Sequence, residues 1–502
     1  MTAGEPKPRA DIAPNTWAFL RDALIVPGGF REYDARWRFP EEINLLGVEA
    51  LGLGLATQIM EEEVGPDVVV GCDYRSYSAA VKSALILGLV RGGAVVRDIG
   101  PALTPTAYFG RAHLGVGPVA MVTASHNPNG WTGVKMGLRA PLTHGPEEMA
   151  RLRDIVLSGA GEERPGGRVV RERLVGDAYI DDLAAGGRLE RKIRVVCATG
   201  NGAAGAFAPE LLERLGAEVE PLHCDLDYTF PAYNPNPEAM EMLRDMASAV
   251  KATGADLALG FDGDGDRCGV VADNGHEIFA DKMGVLLARD WAKAHPGARF
   301  VADVKSTSLF GSDPELLAAG AVTEYWKTGH SHMKARVAET GALAGFEKSG
   351  HYFLAPPLGR GYDCGLRVAV EVLRLLDRHP GQRLSDLVAS LPPTHSMPTL
   401  SPYCADSDKY RVVDRIRADL EAMAASGASL GGRRIEAIVT VNGARVQLEG
   451  GDWALVRASS NTPNLVVVCE SLESETQLRA IFADLDAVIR AQGEVGNYDQ
   501  TF

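Results

Sequence analysis

Three aspartates alternate with two glycines in the stretch FDGDGDR, at Asp262, Asp264 and Asp266. Oxygen-only donors at this spacing suit a hard divalent cation, Mg²⁺ or Ca²⁺, rather than zinc. Gly263 and Gly265 keep side chains out of the way, so three carboxylates can turn onto one ion. An EF-hand loop opens with similar aspartate spacing but needs glycine at its sixth position. Here Arg267 stands there, and the flanks LALGF and CGVVAD read as strands, not helices. A metal-free acidic turn is the plain alternative; the mutual repulsion of three close carboxylates argues against it.

A second loop, VTASHNPNGWTGVKMG, sets Ser125, His126 and Asn127 in a row and closes them with Pro128. Ser125 is a candidate nucleophile, although its adjacency to His126 does not establish a Ser–His dyad, and a serine that merely caps a turn reads the same way. Gly130 and Gly133 permit close approach of a ligand, and Lys135 stands where it can present an ammonium beside the serine. In GFEKSGH, Glu347, Ser349 and His351 alternate: a carboxylate, a hydroxyl and an imidazole suited to sugar hydroxyls or to proton exchange. They read equally well as surface polar groups. In VRASSNTPN, Arg457 with Ser459, Ser460, Asn461 and Thr462 offers a guanidinium fork plus hydroxyl and amide donors, a phosphate cradle or an ordinary polar turn before the NLVVV run.

The elements that must hold these loops share one pattern. DVVVGCDYRSYSAAVKSALILGLVRGGAVV is a strand, a polar turn, a helix, a glycine stop and a second strand, and KIRVVCATGNGAAGAFAPELLERLGAEVE and ARFVADVKSTSLFGSDPELLAAGAVTEY repeat it. Such units build α/β sheets. After each comes a further apolar strand running into an unusual loop: VAMVTASHNP, LALGFDGDGDR and ALAGFEKSGH. Ligands bind outside the carboxyl ends of strands in such sheets. From about Leu391 the prolines cluster, a helix is expected near 408–425, short strands follow, and a last helix covers about 475–490. The expected architecture is three similar α/β, mixed-sheet domains followed by a smaller α+β C-terminal domain around a central cleft. The expected segments are 1–170, carrying the serine loop; 171–278, the metal loop; 279–390, the sugar loop; and 391–502, the phosphate loop.

Lys plus Arg at 51 against Asp plus Glu at 66 give a net charge of −15 over 502 residues. That balance argues against a nucleic-acid or anionic-membrane partner while leaving room for a small anionic substrate in a locally cationic cleft. Seven scattered cysteines without a CxxC pair read as reduced thiols. With no basic-then-apolar leader and no long apolar run, the expected location is the cytoplasm.

TASHNP with Lys135 downstream, DGDGDR, GFEKSGH and RASSNTP, in that order, resemble the four signature loops of the α-D-phosphohexomutases, nearest their phosphomannomutase/phosphoglucomutase branch. FREYDAR, VVVGCDYRSYS, YNPNPE, DVKSTSLF and KTGHS support the resemblance, which runs from about Phe30 to the end. It implies a mutase that interconverts hexose 1-phosphate and hexose 6-phosphate of mannose and glucose through a phosphoserine and a hexose 1,6-bisphosphate. Small sugar phosphates would be its partners, with no nucleic acid and no membrane. Ser125 would carry the phosphoryl group, and Asp262, Asp264 and Asp266 would hold Mg²⁺ with a phosphoserine oxygen. Arg36, Lys135 and His351, with Arg267 beside them, would serve proton transfer and transition-state charge. Arg31, Tyr33, Lys305 and His330 would line the cleft, Glu347 and Ser349 would bind sugar hydroxyls, and Arg457 and Ser459, with Asn461 and Thr462, would grip the phosphate not being transferred. As a base, Lys135 or His351 is easier than Arg36 if its pKa is lowered. The cycle also asks for exclusion of water, for which closure of the tail domain is the expected device.

The sequence departs from the family pattern in two places. Ser460 and Asn461 stand where the last loop commonly has Asn or Gly and then Thr, and Trp37 follows Arg36 where glycine is usual. Phosphoglucosamine mutase is the alternative within the family; Lys348, where those enzymes typically carry Gln, leans away from it. A metal-assisted sugar phosphatase and a non-enzymatic sugar-phosphate sensor are the more distant alternatives.

Overall fold

A computed structural model describes residues 7–460, 462–500 and 502. By compactness the chain divides into two units, residues 1–280 with 349–385, and residues 281–348 with 386–502.

The first unit contains two sheets. Strands Ala35–Arg38, Asp67–Cys72, Val95–Pro101, Val119–Val122, Trp131–Gly137 and Arg168–Arg171 (β1–β6) form a six-stranded sheet in the order β1-β5-β4-β2-β3-β6. β2 runs parallel to β3 and β4, whereas β5 is antiparallel to both β4 and β1, so the sheet is mixed. Every residue of β4 is buried, as expected for a continuous apolar run covered on both faces. Helices Leu45–Glu61 and Ser78–Arg91 pack together with this sheet around a core that includes Leu51, Leu55, Val68, Val70, Leu85 and Val122. Asn44 starts the first helix, its side-chain oxygen accepting from the Gly47 N–H at 2.8 Å.

Strands Arg194–Ala198, Glu218–Leu222, Leu257–Phe261, Cys268–Ala272 and Glu277–Ile278 (β7–β11) form the second sheet, in the order β11-β10-β9-β7-β8. It too is mixed: β7 is parallel to β8 and β9, and β10 is antiparallel to β9. The helix Gly365–Arg378, which follows the sugar loop in sequence, packs against β9 and β10 of this sheet. Its buried face carries Val368, Ala369, Val372, Leu373 and Leu376, so the chain returns to the metal-loop sheet after the sugar loop.

The second unit carries a parallel arrangement of β12 (Arg299–Asp303), β13 (Val322–Trp326) and β14 (Ala344–Phe346), with β12 in the middle. The strand-helix-strand grammar read from the sequence is thus realised in all three sheets. The strand after the sugar loop, Tyr352–Leu354 (β15), belongs to the first unit. The tail is a six-stranded sheet of His395–Ser396, Ser429–Leu430, Arg433–Val439, Ala444–Leu448, Trp453–Ala458 and Leu465–Ser471 (β16–β21), whose neighbouring strands all pair antiparallel. Helices Lys409–Ser426 and Glu475–Arg490 cover it around Val412, Ile416, Leu420, Ile481 and Leu485. The expected helices lie within a residue of these bounds. β20 was not anticipated. The VRASSNTPN stretch reads as loop, yet Arg457 and Ala458 are the last two residues of a buried strand that forms a hairpin with β21.

Candidate active site

The serine and aspartate loops occupy equivalent places, each joining a buried central strand to an antiparallel neighbour: β4 to β5, and β9 to β10. They meet in the first unit. The Ser125 hydroxyl donates to Asp262 Oδ2 at 3.0 Å and lies 3.3 Å from His126 Nδ1, so the neighbouring imidazole does face the serine. Gly263 is required for this approach: a Cβ there would lie 2.6 Å from the Ser125 carbonyl oxygen. Gly133 has a different duty from the one its sequence suggests. Its missing Cβ is displaced by the Ala35 carbonyl oxygen of β1, at 2.1 Å, so it serves strand pairing and not ligand approach.

Asp262, Asp264 and Asp266 are fully buried, and each can offer one oxygen so that the three lie within 4.8 Å of one another. Lys135, on β5, reaches Asp264 Oδ2 at 2.8 Å and also contacts Asp266 Oδ2. The repulsion expected among the three carboxylates is therefore partly met by a lysine, which weakens the argument that only a metal can balance them. Two observations still fit a divalent cation. Oδ1 of both Asp264 and Asp266 is buried with no hydrogen-bond partner among the described residues. Burial, and then repulsion from Asp264 and Asp266, pushes the Asp262 carboxyl well above its usual range, a penalty that a doubly charged ion relieves.

The electrostatics also reassign Lys135. Burial alone would lower its pKa, but Asp264 and Asp266 outweigh it and hold the ammonium well above its ordinary value. This direction favours Lys135 as a source of positive charge over Lys135 as a base. Asp264 is its counterpart: burial opposes ionisation, but Lys135 and the Thr104 hydroxyl, which donates at 2.6 Å, keep it below the usual carboxylate range. Arg267, followed by burial, holds His126 well below the usual imidazole value.

Arg267 links the aspartate loop to His351. Its Nε donates to His351 Nε2 at 2.9 Å, its Nη1 to Glu238 Oε2 at 2.9 Å, and its backbone N–H to Asp262 Oδ1 at 3.2 Å. A guanidinium can only donate, so His351 Nε2 is an acceptor and the ring proton sits on Nδ1, 3.1 Å from Asp363 Oδ2. Asp363 is a candidate site residue that the sequence reading missed. A lone aspartate in GYDCG has no spacing signature; only the bridge between Phe353 and Asp363 brings it back beside the histidine.

Arg36 lies on β1 opposite Gly133, its guanidinium 2.9 Å from Asp34 and donating to the Ala35 carbonyl. Arg31 and Tyr33 precede it in the turn that leads into β1, where the Arg31 N–H donates to the Asp34 carbonyl. Trp37 does not disturb this strand. It points to the opposite face, fully buried, with Nε1 donating to the Val26 carbonyl at 2.8 Å, and Gly29 leaves the space for its indole.

In the second unit, buried Asp303 at the end of β12 ties three loops together. It accepts from the Ser306 hydroxyl at 2.6 Å, the Thr328 hydroxyl at 2.9 Å and the Lys348 N–H at 3.3 Å, with Lys305 Nζ at 3.9 Å. These loops carry Lys305, His330 and Glu347. Glu347 is itself a fastener: it is buried and accepts from the Gly329 N–H at 2.6 Å, immediately before His330. Ser349, two residues on, falls in the other unit.

Arg457 is buried at the end of β20 and donates to the Ala458 carbonyl at 2.8 Å. Ser459 and Thr462 exchange a hydroxyl hydrogen bond of 2.8 Å across the hairpin loop; Asn461 lies outside the described residues. Two buried charges join this sheet to the Lys305 loop. Arg445, between the rings of Tyr325 and Trp453, donates to the Val304 and Ser306 carbonyls at 2.6 and 2.8 Å. Glu470 accepts from Lys282, the Thr307 hydroxyl and the Ser308 N–H at 2.8 to 3.0 Å.

Comparison with known proteins agrees with this arrangement. Residues 28–162, 177–275 and 279–395 match the family descriptions "Phosphoglucomutase/phosphomannomutase, alpha/beta/alpha domain" I, II and III, and residues 404–488 match that of the C-terminal domain. The chain is 33% identical over 464 residues to a phosphomannomutase/phosphoglucomutase of Pseudomonas putida, covering 92% of this chain and 96% of that one. It is 32% identical over 457 residues to a phosphoglucomutase of Neisseria gonorrhoeae, covering 91% and 95%. A solved phosphoglucomutase/phosphomannomutase family protein from Burkholderia thailandensis superimposes with a TM-score of 0.85 at 30% identity, over 95% of this chain and all of that one. The fold and the loops it carries are those of a phosphoryl-transferring mutase. The chain belongs to the phosphoglucomutase/phosphomannomutase family of α-D-phosphohexomutases.

Proposed function

We propose that this enzyme interconverts the 1- and 6-phosphates of mannose and glucose through a phosphorylated Ser125 and a bound hexose 1,6-bisphosphate. The observation that carries the reading is the Ser125 hydroxyl held 3.0 Å from Asp262, inside a buried set of three aspartates and one lysine. Asp262, Asp264 and Asp266 would hold Mg²⁺, which when bound supplies a Lewis acid for the developing phosphoryl charge. Lys135, fixed as an ammonium, adds positive charge that needs no reorganisation when the phosphoryl group moves. The Arg267–His351–Asp363 chain orients an imidazole in a defined tautomer, the arrangement expected of a proton carrier. Arg36, anchored by Asp34, contributes charge and not basicity.

Glu347, Ser349, Lys305 and His330 are the candidates for the sugar and its approach, and Arg457, Ser459, Thr462 and Asn461 for the phosphate that stays. Arg31 and Tyr33 complete the set from the N-terminal turn. The four sequence segments, 1–170, 171–278, 279–390 and 391–502, would each supply one loop. All seven cysteines are free thiols, which fits a reducing compartment such as the cytoplasm; among the described residues no helix is long and apolar enough to cross a membrane.

The test is a coupled assay of glucose 1-phosphate and mannose 1-phosphate isomerisation, with intact-mass analysis of the protein after incubation with glucose 1,6-bisphosphate. One phosphate mapped to Ser125, and at least a 10³-fold loss of turnover in Ser125→Ala, are expected of a covalent carrier. Release of inorganic phosphate without isomerisation would identify a phosphatase instead, and preference for glucosamine phosphate would move the substrate assignment.

A further inference from the structure

We propose that Arg75, with Asp73, is the positioning pair that holds Ser125 in the conformation from which it reacts, an inference that rests on Ser125 being the phosphoryl carrier. Ser125 has φ +52°, a left-handed backbone that residues with a Cβ rarely adopt. Such a conformation persists only where its surroundings impose it. The imposing group is one guanidinium. Arg75 Nη2 donates to the carbonyl oxygens of Ser125 and Asn127 at 2.9 and 2.8 Å, and Nη1 donates to that of Pro128 at 3.1 Å. Three carbonyls within four residues converge on one point because the chain reverses at Ser125.

Asp73 holds the other limb of the turn. It accepts from the Thr123 hydroxyl at 2.9 Å and the Ala124 N–H at 3.2 Å, and from Arg75 Nε at 3.2 Å, while the Ser78 hydroxyl fixes its second oxygen at 2.5 Å. The Thr123 hydroxyl in turn accepts from the Ser125 N–H at 2.8 Å. Asp73 therefore grips the residues entering the turn and Arg75 the residues leaving it, with the nucleophile at the point of reversal. Both side chains are 1% exposed, so this clip is not a solvated ion pair of little consequence. Asp73 and Arg75 follow β2 directly, and the Asp73 N–H donates to the Val122 carbonyl at the end of β4, which fixes the clip to the sheet that carries the serine.

The geometry needs a planar fork. A lysine at position 75 keeps the charge but is a single compact donor centre, which cannot serve three diverging carbonyls and a carboxylate together. The hydrogen bonds of the pair go to the turn that carries Ser125, so loss of the fork should act on turnover and spare substrate binding.

The test compares wild type, Arg75→Lys and Asp73→Asn as full-length proteins. Steady-state kinetics with glucose 1-phosphate should show kcat reduced at least 30-fold in R75K with KM within threefold of wild type, and a smaller fall in kcat in D73N, which keeps the fork but loses its counter-charge. Phosphate loading of Ser125 from glucose 1,6-bisphosphate, followed by intact mass, should slow in parallel, and amide exchange over residues 123–130 should accelerate while the rest of the sheet stays protected. Unchanged kcat in R75K, or a fall matched by KM or by a general loss of protection across the sheet, overturns the inference. If R75K does not fold, D73N gives the same readings and decides the matter. If wild type neither isomerises hexose phosphates nor takes a phosphate on Ser125, the functional reading fails by itself, and the exchange rates still report whether the clip holds the loop.

Discussion

Replacing Lys135 by methionine removes a buried ammonium from between Asp264 and Asp266 while keeping most of its volume, and so tests whether this lysine and the metal share the balancing of one set of carboxylates. Two unit charges 4 Å apart interact by about 4 kcal/mol at an effective dielectric of 20, and a divalent ion placed beside the ammonium meets roughly twice that in repulsion. The neighbouring carboxylates offset most of it, so we expect K135M to bind Mg²⁺ at least tenfold more tightly than wild type, about 1.4 kcal/mol. Without metal the variant is left with an uncompensated buried cluster. Breaking a buried pair in this way costs about 3–5 kcal/mol, a loss that Mg²⁺ should largely restore. Isothermal titration of Mg²⁺ gives the first quantity, and melting curves in EDTA and in saturating Mg²⁺ give the second. Unchanged or weaker Mg²⁺ affinity in K135M, or equal destabilisation with and without the ion, would refute the reasoning.

The remaining expectations concern other parts of the molecule. Burial opposes ionisation of Glu470, but Lys282 and the surrounding donors lower its pKa from the ordinary 4.5 to about 2. A depressed carboxylate stabilises the folded chain above its unfolded pKa and loses that contribution as pH falls through the folded one. The second unit should therefore lose about 3 kcal/mol between pH 4.5 and 2, and Glu470→Gln should flatten that part of an acid-denaturation profile; an unchanged profile counts against the assignment. Asp363→Asn replaces the carboxylate facing His351 Nδ1 by a neutral amide and should lower kcat by about 10²-fold with little change in KM, in line with loss of an oriented acid–base group; a change confined to KM would place Asp363 in substrate binding. Arg457→Ala removes the proposed phosphate partner, a charged hydrogen-bond donor worth about 1.5–3 kcal/mol, so KM for the 1-phosphate and the 6-phosphate should rise together by roughly 10- to 150-fold. A rise for one isomer alone would show that the site does not accept both ends of the sugar.

The legible parts of this chain were those with a local code. Aspartates alternating with glycines between two apolar runs, and strand-helix-strand units with glycine stops, are short-range patterns, and the structure realises both. What stayed hidden was long-range. Asp363 becomes a partner of His351 only through the turn after β15, and Arg75 grips a loop some fifty residues further on. Arg445 and Glu470 look like ordinary charges of a half-exposed β-sheet until their burial against the Lys305 loop is known. The partners of Lys135 stayed hidden for a related reason. Its distance in sequence from Ser125 suggested a partner for the serine, whereas β5 delivers it to carboxylates that lie well over a hundred residues away. Pairing of buried charges depends on the assembled fold, and spacing alone does not report it.

The residues proposed for phosphoryl transfer fall in one unit of the chain, whereas those proposed for recognition are divided between the two, Arg31, Tyr33 and Ser349 lying in the first. Ser125, the aspartate trio, Lys135, Arg267, His351 and Asp363 belong to the first unit, whereas Lys305, His330, Glu347 and Arg457 belong to the second. The boundary falls between Lys348 and Ser349, inside the sugar loop. On one side this loop is fastened by Glu347 to the Gly329 N–H and by the Lys348 N–H to Asp303; on the other, by His351 to Arg267 and Asp363. A mutase must offer first one end of its sugar and then the other to the same serine, so the groups that hold the idle phosphate have to be separable from those that transfer the active one.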